Sequence, residues 1–324
     1  MRAVRVHELT GPSNLRVDEV PSPVPSSGQV LIDVKAAGVN FPDILITQGK
    51  YQFKPAVPFS PGGEAAGIVS AVGPGVTSLK VGDRVATTLL YGAYAEQVVA
   101  QEMATVKLPD VVPFEIGAAT LLTYATTYHA LVDRAALQPD ETLLVLGAAG
   151  GVGIAAVELG VLLGAKVIAA ASSQDKLAFC RAHGASEGID YSTEDLKERI
   201  KALTNGTGVD CIYDPVGGNL AEPALRGIAW QGRYLVVGFA SGEIPKIPLN
   251  LALLKGCQIV GVFWGQFAMR ESAKNRAHCE RLFAWVAEGK LEPTIDATLS
   301  FEQAGEALGR LARREVKGKL VLIP

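Results

Sequence analysis

The chain has few of the residues that would build a metal cluster, a disulfide framework or a membrane span. There are four cysteines in 324 residues, at Cys180, Cys211, Cys257 and Cys279. They are scattered and form no C-x-x-C pair, so neither a zinc knuckle nor a redox dithiol is legible. Sparse, unpaired cysteines suit a reducing compartment, and the expected location is the cytoplasm. His129, His183 and His278 have no spacing that suggests a metal site or a catalytic triad. Neither sign of charge dominates, with 30 basic against 33 acidic residues. No basic stripe for nucleic acid and no polybasic membrane face is present, so neither partner is expected. Apolar runs are broken by Gly or charge well short of a membrane span. The N-terminus alternates like a strand and lacks the apolar run of a signal peptide. What remains is a globular chain with length for about two domains. It can bury a core without staples.

The first part, to about Pro113, is rich in β-branched residues, Gly and Pro. Strands are expected at Val30–Lys35, Ala66–Val72 and Tyr94–Val99, punctuated by Pro21–Pro25 and Gly73–Gly75. Short strands with frequent turns indicate a mostly antiparallel β domain. After Phe114 the pattern changes. Thr142–Leu146 is a short apolar run suited to a buried parallel strand. Gly151–Leu163 reads as a helix, Lys166–Ala170 as the next strand, and Asp175–His183 as a helix that Gly184 can end. Leu196, Ile200 and Leu203 share one helical face. Strand-like runs follow at Val209–Tyr213, Arg233–Val237 and Cys257–Val262. This alternation predicts a doubly wound parallel sheet. The tail from Glu271 reads as two helices ending in the strand Lys319–Ile323.

The stretch from Thr142 to Gly153 carries the strongest chemical signal. A buried strand runs into Gly147-Ala148-Ala149-Gly150-Gly151-Val152-Gly153 and then a helix. Glycines allow a tight turn and close approach of a pyrophosphate, and the helix N-terminus offers free N–H groups. A lone glycine motif is weak, but here both flanking strands and the helix are in place. Ala148 stands where the first Gly of the usual fingerprint would fall, with Gly150 and Gly153 as the later two.

The end of the second strand selects the dinucleotide. NAD sites usually carry an acid there, about 20 residues on, to bond the ribose 2′-hydroxyl. Here that end reads Ala170-Ala171-Ser172-Ser173. Ser172 and Ser173 can donate to a 2′-phosphate and Lys176 can neutralise it, which favours NADP(H). The alternative for these residues is a serine helix cap followed by a solvated lysine. Asp175 fits as a favourable charge in a first helical turn.

The chain resembles the zinc-free branch of the medium-chain dehydrogenase/reductase superfamily, and within it the zeta-crystallin type of quinone oxidoreductase. The resemblance spans essentially the whole chain. It rests on Ala36–Asp43, Pro61–Gly67, Val81–Val85, Gly147–Gly153, Asp214–Gly218 and Lys317–Lys319. It implies an α/β chain: a GroES-like β domain over 1–118, a Rossmann domain over 119–262, and a C-terminal return to the first domain over 263–324. It also implies a cleft with the nicotinamide at its base, and a homodimer or tetramer, of which a homodimer is expected.

The sequence departs from the alcohol dehydrogenases at the metal. Their catalytic zinc takes Cys, His and a further Cys or Asp. Asn40 stands at the place matching the first Cys, and Gly63 at the place matching the His. No cysteine precedes Cys180, so the structural zinc lobe is missing too, and no metal is expected.

Without a Lewis acid, hydrogen-bond donors must stabilise charge developing on an acceptor oxygen. By the resemblance, Asn40, Asp43 and Tyr51 are the candidates. Asn40 donates through its amide, Asp43 orients the loop, and Tyr51 gives a proton or hydrogen bond. Turn chemistry for Asn40 and Asp43, and a half-buried packing ring for Tyr51, are the alternatives. On the cofactor side the resemblance adds Thr126 and Tyr191, with Phe239, Ala240, Phe263, Trp264 and Gly265 in loops after the fifth and sixth strands. Interdomain packing is the alternative for Phe263 and Trp264. The activity so implied is NADPH-dependent reduction of a small molecule, a quinone or another electrophilic alkene or carbonyl. An enoyl-thioester reductase of the acryloyl- or crotonyl-CoA type is a second reading. An NADPH-binding protein with little turnover is a third.

Overall fold

A computed structural model describes all residues, Met1–Pro324. Its strands are β1 (Arg2–Val6), β2 (Leu15–Glu19), β3 (Gln29–Val39), β4 (Glu64–Val72), β5 (Arg84–Thr88), β6 (Gln97–Gln101) and β7 (Thr105–Lys107). After these come β8 (Thr142–Leu146), β9 (Lys166–Ala171), β10 (Glu187–Asp190), β11 (Val209–Asp214), β12 (Ile228–Val236) and β13 (Gln258–Gly261). The chain closes with β14 (Ile295–Ser300) and β15 (Lys319–Ile323). The residues fall into two units: Met1–Ala125 with Phe267–Pro324, and Thr126–Gln266.

The first unit is built on a sheet ordered β14-β15-β3-β4-β5-β7, with β6 also pairing β3. Every pairing in it is antiparallel except that of β14 with β15. Alternating side chains of β3 such as Val30, Ile32 and Val34 meet Val69, Val85, Val98, Leu320 and Leu322 in its core. The C-terminal strand therefore supplies core to the domain that the N-terminus begins. Tyr94–Glu96 precede β6 instead of lying in it. Their backbone is engaged elsewhere: the Tyr94 N–H donates to Pro61 O, and Tyr94 O accepts from Val4 N–H at 2.8 Å. The tail from Glu271 has the two expected helices, Ser272–Ala287 and Ala304–Ala312, and the final strand β15, and adds a strand, β14, between the helices. A further helix, Trp264–Arg270, precedes it.

The second unit has the order β10-β9-β8-β11-β12-β13, all parallel. This is the doubly wound arrangement read from the alternation of strands and helices. Strand β8 is central and nearly continuous in apolar residues because helices cover both of its faces. The helix Gly151–Leu162 is apolar on every side but for Glu158, whose carboxylate pairs with His183, as suits a helix packed inside a domain. No helix of the chain is long and apolar enough to cross a membrane.

Candidate active site

In the second unit the glycine turn has a distinct duty for each residue. Gly147 takes the left-handed conformation (φ +60°) and makes the tight turn. Its carbonyl accepts the Gly150 N–H at 3.0 Å. Ala148 is fully buried and donates its N–H to Ala170 O, tying the turn to β9. A Cβ on Gly153 would lie 2.2 Å from Gly147 O and 2.8 Å from Ala148 Cα, so only glycine lets the helix pack on the turn. A Cβ on Gly150, the N-cap, would meet nothing nearer than 3.5 Å. No side chain caps this helix, so its first amides, with Gly151 and Val152 half-exposed beside them, can receive a phosphate. The residues thus fit a dinucleotide.

At the adjacent strand ends, Ser172, Lys176 and Tyr191 come together. Ser173 caps the helix Gln174–Ala182, accepting the Lys176 N–H at 3.3 Å. Ser173 therefore has the capping role, while Lys176 Nζ reaches back to Ser172 Oγ at 3.2 Å. Tyr191 follows β10 and is half-buried, its N–H donating to Ala171 O. Asp175 lies exposed in the first helical turn. Thr126 is half-buried, and its neighbour Thr127 bonds Tyr213 Oη at 2.8 Å. The loop after β12 folds Phe239 over Gly217, and Ala240 N–H donates to Pro215 O. Asp214 shapes that floor by accepting the N–H groups of Val216 and Gly217 at 2.8 Å each, and the hydroxyl of Tyr234. Phe263 is 60% exposed, Trp264 opens the helix Trp264–Arg270, and Gly265 follows it.

In the first unit the polar residues form a closed cluster. Asn40 caps the helix Phe41–Thr47, and its N–H donates to Asp43 Oδ2 at 2.9 Å. The Asn40 amide donates to Gly38 O and to Glu64 Oε2, both at 3.2 Å. Its Oδ1 accepts from Lys319 Nζ at 2.5 Å. An ammonium can only donate and a carboxylate only accept, which sets the orientation of this amide. Both amide hydrogens are then used inside the protein. Asn40 has none left for a substrate oxygen, so the donor role expected of it becomes a positioning role. Glu64, fully buried, also accepts the Leu122 N–H at 2.9 Å. Lys319 donates as well to Val39 O at 3.0 Å and Glu64 Oε2 at 3.3 Å. Its three N–H groups match three acceptors.

Asp43 sits at the edge of this cluster. Tyr94, fully buried, donates its hydroxyl to Asp43 Oδ2 at 2.8 Å. Burial pushes the Asp43 carboxyl up to about 6, opposed by the hydrogen bonds from Tyr94 and Asn40 and by the Lys319 charge. Tyr51 packs half-buried against Val6, Ile46 and Phe59. Burial, then the Asp43 charge, raises its phenol, which keeps it protonated. Three members of the cluster, Glu64, Tyr94 and Lys319, escaped the sequence reading. The signal for Lys319 was a charge opening an otherwise apolar strand. A zinc ion does not fit here. The Asn40 oxygen is taken by an ammonium, and no group of three His, Cys, Asp or Glu side chains is placed to hold a metal.

Family models bracket both units. Residues 26–110 match the alcohol dehydrogenase GroES-like domain, and residues 151–280 match the model described as zinc-binding dehydrogenase. The chain is 40% identical to quinone oxidoreductase-like protein 2 homolog of Nematostella vectensis, over 99% of its own length and 88% of the relative's. It is 36% identical to a quinone oxidoreductase of Pseudomonas aeruginosa, over 97% of both chains. The crystal structure of Escherichia coli quinone oxidoreductase complexed with NADPH superimposes with a TM-score of 0.94 at 32% identity, covering all of both chains. Fold and sequence define an oxidoreductase of the medium-chain dehydrogenase/reductase class. Within that class the chain belongs to the quinone oxidoreductase family.

Proposed function

We propose that this protein oxidises NADPH and passes the hydride to a small quinone without a metal. The observation that supports the metal-free part is the Lys319 ammonium, held by Glu64 and by Asn40, the residue that by resemblance matches the first zinc cysteine. Quinones accept hydride without strong electrophilic activation, so a site built of hydrogen bonds suffices for them. NADPH supplies the hydride when bound. Gly150, Gly151, Val152 and the helix N-terminus hold its pyrophosphate, and Ser172, Lys176 and Tyr191 face its 2′-phosphate. Thr126, Phe239, Ala240, Phe263, Trp264 and Gly265 border the nicotinamide. The E. coli relative complexed with NADPH supports this choice.

The test gives purified protein NADPH with 1,4-benzoquinone or 9,10-phenanthrenequinone, and separately with crotonyl-CoA. Oxidation with the quinones is expected. Turnover with the thioester alone would replace the quinone reading by an enoyl reductase. That second reading is favoured by the protonated Tyr51 phenol, a candidate donor to the α-carbon. Tight NADPH binding without oxidation by any acceptor would leave a binding protein. Dialysis against EDTA leaves the rate unchanged on this reading, and stoichiometric retained zinc contradicts it.

The protein acts as a homodimer through the edge of the second unit. Strand β13 pairs only with β12, and Ile259 on it is 42% exposed. Leu249, Leu253 and Leu254 beside it are exposed as well. An open strand edge flanked by apolar side chains is a pairing surface. Ile259→Lys should convert the dimer to a monomer in sedimentation. The four cysteines, all unpaired, suit the cytoplasm.

A further inference from the structure

Asp43 is pinned on one side only. Its Oδ2 accepts two hydrogen bonds, from Asn40 N–H and Tyr94 Oη. Both of those bonds go to Oδ2 and none to Oδ1, and the residue is 3% exposed. That free oxygen borders Gly63, where an added Cβ would lie 3.9 Å from it. Gly63 has a milder constraint than its neighbour, the Leu89 carbonyl standing close to where a Cβ would lie. Its neighbour Gly62 needs φ +98° and would drive a Cβ to 2.4 Å from the Tyr94 ring. Gly63 has no left-handed φ, and its Cβ would meet only Leu89 O at 3.3 Å and Leu122 Cδ1 at 3.6 Å before Asp43. Glycine there keeps clear the approach to Asp43 Oδ1.

We propose that Asp43 is the proton donor of the reduction, presenting Oδ1–H to the acceptor oxygen across Gly63. The inference rests on the quinone-reductase reading and names the acid within it. In the step, hydride carries two electrons to the quinone and NADPH becomes NADP⁺. The hydroquinone monoanion takes the Asp43 proton, an O–H bond forming as the carboxyl O–H breaks. Asp43 is left as a carboxylate and regains its proton from water. Tyr94 is a positioning residue, since its hydroxyl fixes Oδ2 and so aims Oδ1. Lys319 and Tyr94 favour the charged form of Asp43, while burial and Glu64 favour the protonated form. Tyr51, the other ionisable group nearby, stays neutral and leaves that balance undisturbed.

The experiment compares wild type with Asp43→Asn, Tyr94→Phe and Gly63→Ala, using NADPH and 9,10-phenanthrenequinone. Asn at 43 can still accept from Asn40 N–H and Tyr94 Oη, so folding is retained. Its kcat should fall at least about tenfold, NADPH affinity by fluorescence should stay within about twofold, and the fall of rate with rising pH should vanish. Tyr94→Phe removes a bond that favours the carboxylate, so the falling limb should move to higher pH. Gly63→Ala should raise KM for the quinone and not for NADPH. Wild-type kcat and pH profile in Asp43→Asn overturn the proposal while the function stands. If Asp43→Asn does not fold, an unmoved limb in Tyr94→Phe overturns it. Wild type that oxidises NADPH with no quinone overturns the function, and the proposal with it.

Discussion

Lys319 Nζ lies 2.5 Å from Asn40 Oδ1, joining the last strand of the chain to the cap of its first α-helix. The ammonium is 97% shielded, and Glu64, its counter-ion, is completely so. Such a pair contributes little net stability while intact, because desolvating both charges offsets their attraction. Losing one partner is a different matter.

Lys319→Met should destabilise the protein by about 3–5 kcal/mol, because it strands the Glu64 carboxylate without a cation. Adding Glu64→Gln should restore much of the loss, since the carboxylate that lost its cation is then replaced by a neutral amide. Urea denaturation of the single and double variants checks both signs. Equal stability of Lys319→Met and wild type would show that the pair has no structural role.

Asp43 ties stability to pH. Its folded value of about 6 is above the unfolded 3.8, so between those values the folded state holds more protons. Stability therefore falls as pH rises from about 4 to about 6 and is flat beyond, on account of this group. The difference is about two pKa units, or on the order of 3 kcal/mol. Asp43→Asn should thus be more stable than wild type at pH 7, with a margin that closes at acid pH. Thermal melts across pH 4–8 test this, and a constant margin would refute it.

Lys176→Ala should raise KM for NADPH far more than for NADH, because only NADPH carries the 2′-phosphate that the Lys176 charge would face. Steady-state kinetics with both cofactors decide it. Equal changes would remove Lys176 from cofactor selection.

Two glycines of the turn should behave differently. Gly153→Ala puts a Cβ against backbone at 2.2 Å and should cost several kcal/mol of stability as well as NADPH binding. Gly150→Ala has room, with its nearest contact at 3.5 Å, so the fold should survive. Its methyl would stand where the pyrophosphate approaches, and NADPH affinity should fall. Melting curves and cofactor titration separate the two effects.

Local chemistry was enough for much of this protein. The strand Thr142–Leu146, the glycine turn and the next helix are set by neighbours in sequence, because a buried strand, a left-handed glycine and an uncapped helix start each act over a few residues. The parallel sheet followed from the same local alternation. Strand β14 is also locally written, since Ile295, Ala297 and Leu299 alternate with polar residues, but the helices on either side of it mask the alternation. The passage between the units had no such mark. The helical run from Phe114 to Arg134 continues through Ala125 and Thr126, where the units divide, with no Gly or Pro to signal it. The polar cluster of the first unit was beyond reach for a different reason. Asn40 and Asp43 are neighbours, but their state depends on Glu64, Tyr94 and Lys319, which only the tertiary fold brings to them. Burial then decides the chemistry. It uses up both amide hydrogens of Asn40, and it raises the Asp43 carboxyl to where it can hold and give a proton.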